Sequence, residues 1–314
     1  MNILILRELH PNPTYHNYPG DRKGGACYLT DMLLHGLRQK FGNTVVDHSR
    51  AWWMYDNEYG PGKLADDVHK VFTLGRTMDD SDIDRTDIDL KIQNKFFDLI
   101  IFGYTHNAWN QEQFELVTQL YDRNQIVFID GGDVWEDGAH DIADKCVYFK
   151  REFYLPDPDM FPISFAMPDE KIDTCTNDEK TSLLAPMDPR DPSTYIYKEE
   201  APYYQQYANS LFGVTKKKGG WDCVRHYEIL ANNCIPWFLD IEDCPENVMT
   251  TLPKEQLLEV VQLVNTKGMD WFTTDEGFAK WEELNDQIQT HFKKYCTTSA
   301  LAEYVLNTCD SLKG

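Results

Sequence analysis

Two apolar runs, Phe97 to Phe102 (FDLIIF) and Gln125 to Ile129 (QIVFI), constrain the fold of this chain more than any other feature. A strand with one wet face alternates apolar and polar residues. A run that is apolar on both faces must be covered on both, as in the middle of a parallel sheet. Between the two runs Phe114, Val117, Leu120 and Tyr121 recur at helical spacing, which supplies the crossover that parallel neighbours need. Residues 2–7 read as an earlier buried strand. The helix carrying Tyr28, Leu29, Met32, Leu33, Leu37 and Phe41 comes next, then a short strand at Val45-Val46-Asp47 and a further one at Cys146 to Phe149.

The Pro-rich stretch 156–168 reads as an extended linker, and a second strand and helix series starts near Thr181. It comprises SLLAPM, a helix from Lys198 to Tyr207, and the segment Ser210 to Pro245, with helical segments 253–267 and 275–309 after it. The expected fold is α/β, with two Rossmann-like doubly wound domains facing a cleft. Residues 1–155 form the first domain, 156–274 the second, and 275–314 the closing helices. A chain of 314 residues is long enough to bury two cores.

Ser210 to Pro245 is a strand, a basic loop (Lys216, Lys217, Lys218, Gly219, Gly220), a helix starting near Asp222, and a second apolar run from Cys234 to Leu239. A loop at the carboxyl end of a strand that feeds a helix amino end suits an anion: free N–H groups and the helix dipole point there. Glycine lets backbone come close and lysine adds charge. Arg225 and Glu228 lie three apart on one face of that helix. Either Arg225 meets a phosphate while Glu228 accepts from ribose hydroxyls, or the two form a surface ion pair.

The run Ser210-Leu-Phe-Gly, then Trp221-Asp-Cys-Val-Arg-His-Tyr-Glu-Ile-Leu-Ala-Asn-Asn-Cys-Ile-Pro, then Asp240 and Pro245, resembles the donor-binding segment of exostosin-like and related GT-B fold glycosyltransferases. That family's pattern reads R-x-x-E-A-L, a small turn, then G-C-I-P before a strand and a downstream Asp. The resemblance implies a GT-B type fold with a C-terminal helix crossing back onto the first domain, and a nucleotide-sugar site in which Arg225 and Glu228 hold phosphate and ribose. It also sets the run Tyr148-Phe-Lys150-Arg151-Glu152 near the crossing between domains, with Lys150 and Arg151 in the cleft, and Gly24-Gly25 in a cleft turn against the donor, unless that pair serves a plain tight turn. Asn233 stands where the family has Gly, and Pro236 where many retaining relatives have a second Glu, so the stereochemical outcome is not readable.

His16 and Asp21 in the first loop, and His106 and Asp133 after the two apolar runs, are candidate bases. Arg190 is either a second phosphate ligand or a turn arginine. The aromatic run AWWMYDNEYGPG either stacks on an acceptor sugar or packs as an ordinary loop. Asp80, Asp82 and Asp84 have the spacing of a calcium loop, but Arg85 stands where it needs Gly and Lys91 where it needs Glu. The acidic run is expected to be a solvated loop, and no metal site is predicted. The net charge of −22 argues against a nucleic-acid partner. No apolar run reaches the roughly 18 residues of a membrane span. MNILILRELH reads as a first strand, with no signal peptide. Eight scattered cysteines without a C-x-x-C fit reduced thiols and a cytoplasmic setting.

The expectation is a metal-independent glycosyltransferase that takes no cofactor beyond its nucleotide-sugar donor and glycosylates a glycan or other hydroxyl acceptor. The alternatives are a metal-dependent glycosyltransferase using Asp80/Asp82 or Asp157/Asp159, a non-catalytic nucleotide- or glycan-binding module, and a sugar-nucleotide epimerase.

Overall fold

The computed structural model describes residues 1–7, 27–55, 72–104, 110–136, 138–172 and 180–313. Strands β1 (Ile3–Leu6), β2 (Val45–His48), β3 (Leu99–Tyr104), β4 (Ile126–Asp130), β5 (Val147–Lys150) and β6 (Met160–Pro162) form one sheet. Its order is β2-β1-β3-β4-β5-β6 and every pairing is parallel. Ile3, Ile5, Leu99, Ile101, Val127, Ile129, Val147 and Phe149 point into one core, and Leu4, Leu6, Ile100, Phe102, Ile126, Phe128 and Tyr148 into another. Both faces are buried, which is why these strands are apolar at successive positions. Helix α1 (Tyr28–Phe41) covers the first face, while α2 (Ile88–Gln93) and α3 (Gln111–Leu120) cover the second.

Two expectations change here. Part of the Pro-rich stretch is edge strand β6: Pro162 closes it, at a position where an edge tolerates the missing N–H. The acidic run is only partly solvated. Asp80 pairs with Arg50 and Arg85, and Arg85 also binds Asp47, which is buried in β2. The run then winds into α2, whose Ile88 and Ile92 are buried.

The second sheet is β7 (Ser182–Leu184), β8 (Ser210–Thr215) and β9 (Ile235–Phe238), in that order and parallel. Helices α4 (Glu200–Ala208) and α5 (Val224–Ala231) are the crossovers, with Tyr203, Tyr207 and Ile229 in one cluster with Ala185 and Cys234. On the other face α6 (Lys254–Lys267) buries Leu257 and Val260, and Phe212 meets Phe272 at 4.7 Å between ring centroids. After α5 the chain turns at Asn233 with φ 52°. Asn is the residue that best replaces Gly in the left-handed region. Its side chain also accepts from Asn285 at 2.7 Å, so this departure from the exostosin-like pattern keeps the turn.

The long helix expected over 275–309 is two, α7 (Asp275–Tyr295) and α8 (Thr298–Ser311), with Thr297 capping α8 by accepting from the Ala300 N–H at 3.1 Å. Helix α8 crosses back and packs along α1. Gly36 makes this possible, because a Cβ there would collide with the Thr298 carbonyl. Beside it, His35 is hydrogen-bonded to Thr298 and Glu170, each at 2.8 Å. Among the described residues no helix is long and apolar enough to cross a membrane. Cys146, Cys223, Cys244, Cys296 and Cys309 are free thiols; Cys175 lies outside the described residues.

Candidate functional site

Every strand in both sheets is parallel, so the loops that leave the carboxyl ends of each sheet gather on one edge. The two edges meet around a cavity of about 640 Å³, within the roughly 300–1,000 Å³ typical of ligand sites. Asp133 after β4 and Arg151 after β5 reach it from the first unit, with Tyr28, Phe72 and Phe165. Met187 after β7, Lys218 to Gly220 after β8, and the start of α5 reach it from the second, together with Tyr195, Tyr197 and Tyr203.

Arg225 and Glu228 stand on the cavity wall, as their spacing on α5 predicts. They are 9% and 8% exposed, which removes the surface ion-pair alternative. The Arg225 guanidinium lies 5.1 Å from the centre of the Tyr195 ring, and its Nε and Nη1 have no hydrogen-bond partner among the described residues. Glu228 accepts from the Thr73 hydroxyl at 2.5 Å and from the Tyr203 hydroxyl at 2.6 Å. Burial raises its pKa, opposed by those two hydrogen bonds and by Arg225. Each carboxylate oxygen keeps a further lone pair for a ligand hydroxyl.

The basic loop divides its labour. Lys218 lines the cavity and donates to the Tyr195 hydroxyl at 2.7 Å. Lys217 is not on the cavity wall: its backbone N–H donates to Asp240 at 3.0 Å and its ammonium lies over Trp221 at 5.1 Å. Gly219 and Gly220 border the cavity, but the groups they admit belong to the first unit. A Cβ at 219 would stand 2.6 Å from an Asp133 oxygen, and one at 220 would collide with Glu152. The glycines close the seam between the units; no anion cradle is needed to explain them.

Arg151 is the centre of that seam. It donates to the carbonyls of Gly131 (3.2 Å), Gly132 (3.1 Å) and Asp222, and to the Asp133 carboxylate, with Glu152 at 3.5 Å. Asp222 accepts from the Phe165 N–H at 2.7 Å and the Tyr227 hydroxyl at 3.0 Å. Burial pushes the Asp222 carboxyl up to about 7, with Arg151 the chief opposing influence. His226 beneath the loop binds Thr215 and the Trp221 carbonyl, each at 2.9 Å. A carbonyl only accepts, so Nε2 carries the hydrogen and Nδ1 accepts from Thr215. Burial pushes this imidazole down to about 3, and it stays neutral.

Other expected site residues fall elsewhere. Lys150 is fully buried on the far face of the first sheet, paired with Asp130 at 2.9 Å in the adjacent register position. It is a core cation, not a cleft one. Arg190 is half-exposed, pairs with Asp188 at 2.5 Å and does not line the cavity, the arrangement of a turn arginine. Of the candidate bases, Asp133 lines the cavity with its carboxylate half-exposed and held by Arg151. His16, Asp21, Gly24, Gly25 and His106 lie outside the described residues. Within the aromatic run, Trp53 and Tyr55 are core residues; positions 56–62 are outside the described residues. Asp80, Asp82, Asp157 and Asp159 do not line the cavity. Among the described residues no group of three His, Cys, Asp or Glu is placed to hold a metal ion.

Sequence reasoning missed Thr73 and the tyrosines. Tyr203 and Tyr207, four apart on α4, carried a readable signal. Thr73 carried none, since its partner lies 155 residues away.

Fold and site together define a GT-B type arrangement: two parallel α/β units, a ligand-sized cleft between their carboxyl edges, and a helix crossing back. No family model matches the sequence, and no curated protein matches it. One similar solved structure is described as an alpha-glucosyltransferase in complex with UDP-glucose and DNA containing an abasic site. It has a TM-score of 0.40 and 10% sequence identity, and the similarity covers 98% of each chain.

Proposed function

We propose that this protein is a glycosyltransferase of the exostosin-like kind, moving a sugar from a nucleotide diphosphate sugar to an acceptor hydroxyl. The observation that carries the reading is Arg225, a buried guanidinium on a cavity wall with Nε and Nη1 unpartnered among the described residues. An unsatisfied buried cation costs stability, and an anion entering the cavity would offset that cost.

In this reading the second unit, from β7 to α6, holds the donor. Arg225 and Lys218 take the diphosphate and stabilise the charge that builds on it as the sugar departs. Glu228 takes the ribose through its free lone pairs. The first unit, built on the six-stranded sheet, presents the acceptor, and Asp133, on the opposite wall, takes the proton of the attacking hydroxyl. The two cations supply the positive charge at the leaving group, so the proposed reaction is metal-independent. The net charge of −22 points to an uncharged acceptor such as a glycan rather than a nucleic-acid strand.

The ion pair between Arg151 and Asp133 favours a second reading, a nucleotide- or glycan-binding module without turnover, because a carboxylate occupied in holding the seam arginine is not turned to an acceptor hydroxyl. One panel addresses both. Thermal shift and calorimetry with UDP, GDP, ADP, CMP and dTDP, with and without EDTA, are expected to show one diphosphate that stabilises the wild type without metal and fails on Glu228→Ala. Absence of any shift overturns the donor site. Binding of a nucleotide sugar with no turnover on any acceptor selects the module.

A further inference from the structure

We infer that Tyr195 occupies the anion subsite of the free protein and must swing aside before a diphosphate can bind; the inference rests on the donor-site reading above. Two cations converge on this one neutral ring. Lys218 Nζ donates to its hydroxyl at 2.7 Å and lies 4.8 Å from the ring centre, and the Arg225 guanidinium lies 5.1 Å from the same centre. In a chain with 52 acidic against 30 basic residues, carboxylates are abundant, yet these two cavity cations face a phenol.

A phenol is the weaker partner for both. A phosphate oxygen makes charge-assisted hydrogen bonds with a guanidinium and an ammonium, roughly twice as strong as neutral ones. The phenol ring also screens Arg225, whose Nε and Nη1 it leaves without a hydrogen-bond partner among the described residues. Tyr195 is built to leave. It is 44% exposed, follows a single 3-10 turn at Pro192–Thr194, and its neighbour Ile196 is 66% exposed, so little packing resists the swing. By contrast Tyr203, which binds Glu228 from the packed helix α4, is 7% exposed and stays.

A protein whose competent state is only a fraction of the population binds with an affinity reduced by that fraction. Removing the phenol should therefore tighten anion binding. The test is calorimetric titration of pyrophosphate, and of the nucleoside diphosphate selected by the panel above, into wild type, Tyr195→Phe and Tyr195→Ala. Each protein is first checked for an unchanged circular-dichroism melt. The expected result is that Tyr195→Ala binds pyrophosphate about three- to tenfold more tightly than wild type, with Tyr195→Phe in between because it loses the acceptor and keeps the ring. Equal or weaker binding by Tyr195→Ala overturns the inference and leaves the donor site standing, with Tyr195 then a platform under the ligand. If pyrophosphate and the diphosphates bind to none of the three proteins, the donor site falls and this inference with it.

Discussion

Replacing Arg151 by Met removes a guanidinium that ties the two units together and keeps most of its volume. The side chain is 3% exposed and donates to three carbonyls and one carboxylate, among them the Asp222 carbonyl of the second unit. Asp133 is half-exposed and recovers water, so its loss is small. The Gly132 and Asp222 carbonyls and the buried Glu152 do not, and breaking a buried pair by removing one partner costs about 3–5 kcal/mol. The cost should depend on pH. Burial holds the Asp222 carboxyl near 7 against the pull of Arg151, and without that cation it rises further. A carboxyl whose folded pKa exceeds its unfolded one stabilises the fold while protonated, and that contribution is lost as pH climbs through the folded pKa. The variant's deficit should therefore be smaller at pH 5.5 than at pH 8, by on the order of 1 kcal/mol per unit of added shift. Urea titrations followed by tryptophan fluorescence at both pH values measure this. A deficit under about 1 kcal/mol, or one that does not change with pH, refutes the assignment of Arg151 as the seam's charge centre.

Three further outcomes can be checked. The His226 imidazole, held down by burial, should show no titration by nuclear magnetic resonance between pH 8 and 5; a midpoint near the ordinary 6.5 contradicts its neutral, Nε2-protonated role. Because its folded pKa lies below the unfolded one, its contribution to stability is lost as pH falls below about 6.5. At Asn233, Ala pays about 1 kcal/mol for the left-handed backbone and Gly does not, while both lose the Asn285 hydrogen bond; equal urea stability of the two variants argues against the conformational account. Gly36→Ala should lift α8 from α1 and cost about 1–3 kcal/mol, with faster amide exchange in α8; an unchanged exchange pattern would show that the helices have room to spare.

The parallel sheets were legible because strands buried on both faces must be apolar at every step, and Leu99 to Tyr104 and Ile126 to Asp130 leave few other folds open. Arg225 and Glu228 were legible because helical spacing fixes which side chains share a wall. Lys150 misled because it sits at a strand end beside a true cleft cation, yet strand parity held the answer: it shares a face with Tyr148, two residues earlier, and meets Asp130 across the sheet. Helix α2 was hidden by its six-residue length and by an entry through Asp87 at φ 51°, where no side-chain cap marks the start. The role of Gly219 and Gly220 was hidden for a different reason. A glycine records that something comes close, and only the fold reveals that the something is Asp133 and Glu152.

The return of α8 to α1 also sets an order of events during synthesis. The first sheet can pair its strands once residue 162 has been made, but the α1 face that receives α8 has no cover until residues 298–311 emerge. At roughly 5–20 residues per second that gap lasts many seconds. Until then His35, Gly36 and their neighbours on α1 have no partner from α8, and the nascent first unit depends on sequence not yet made to finish its packing.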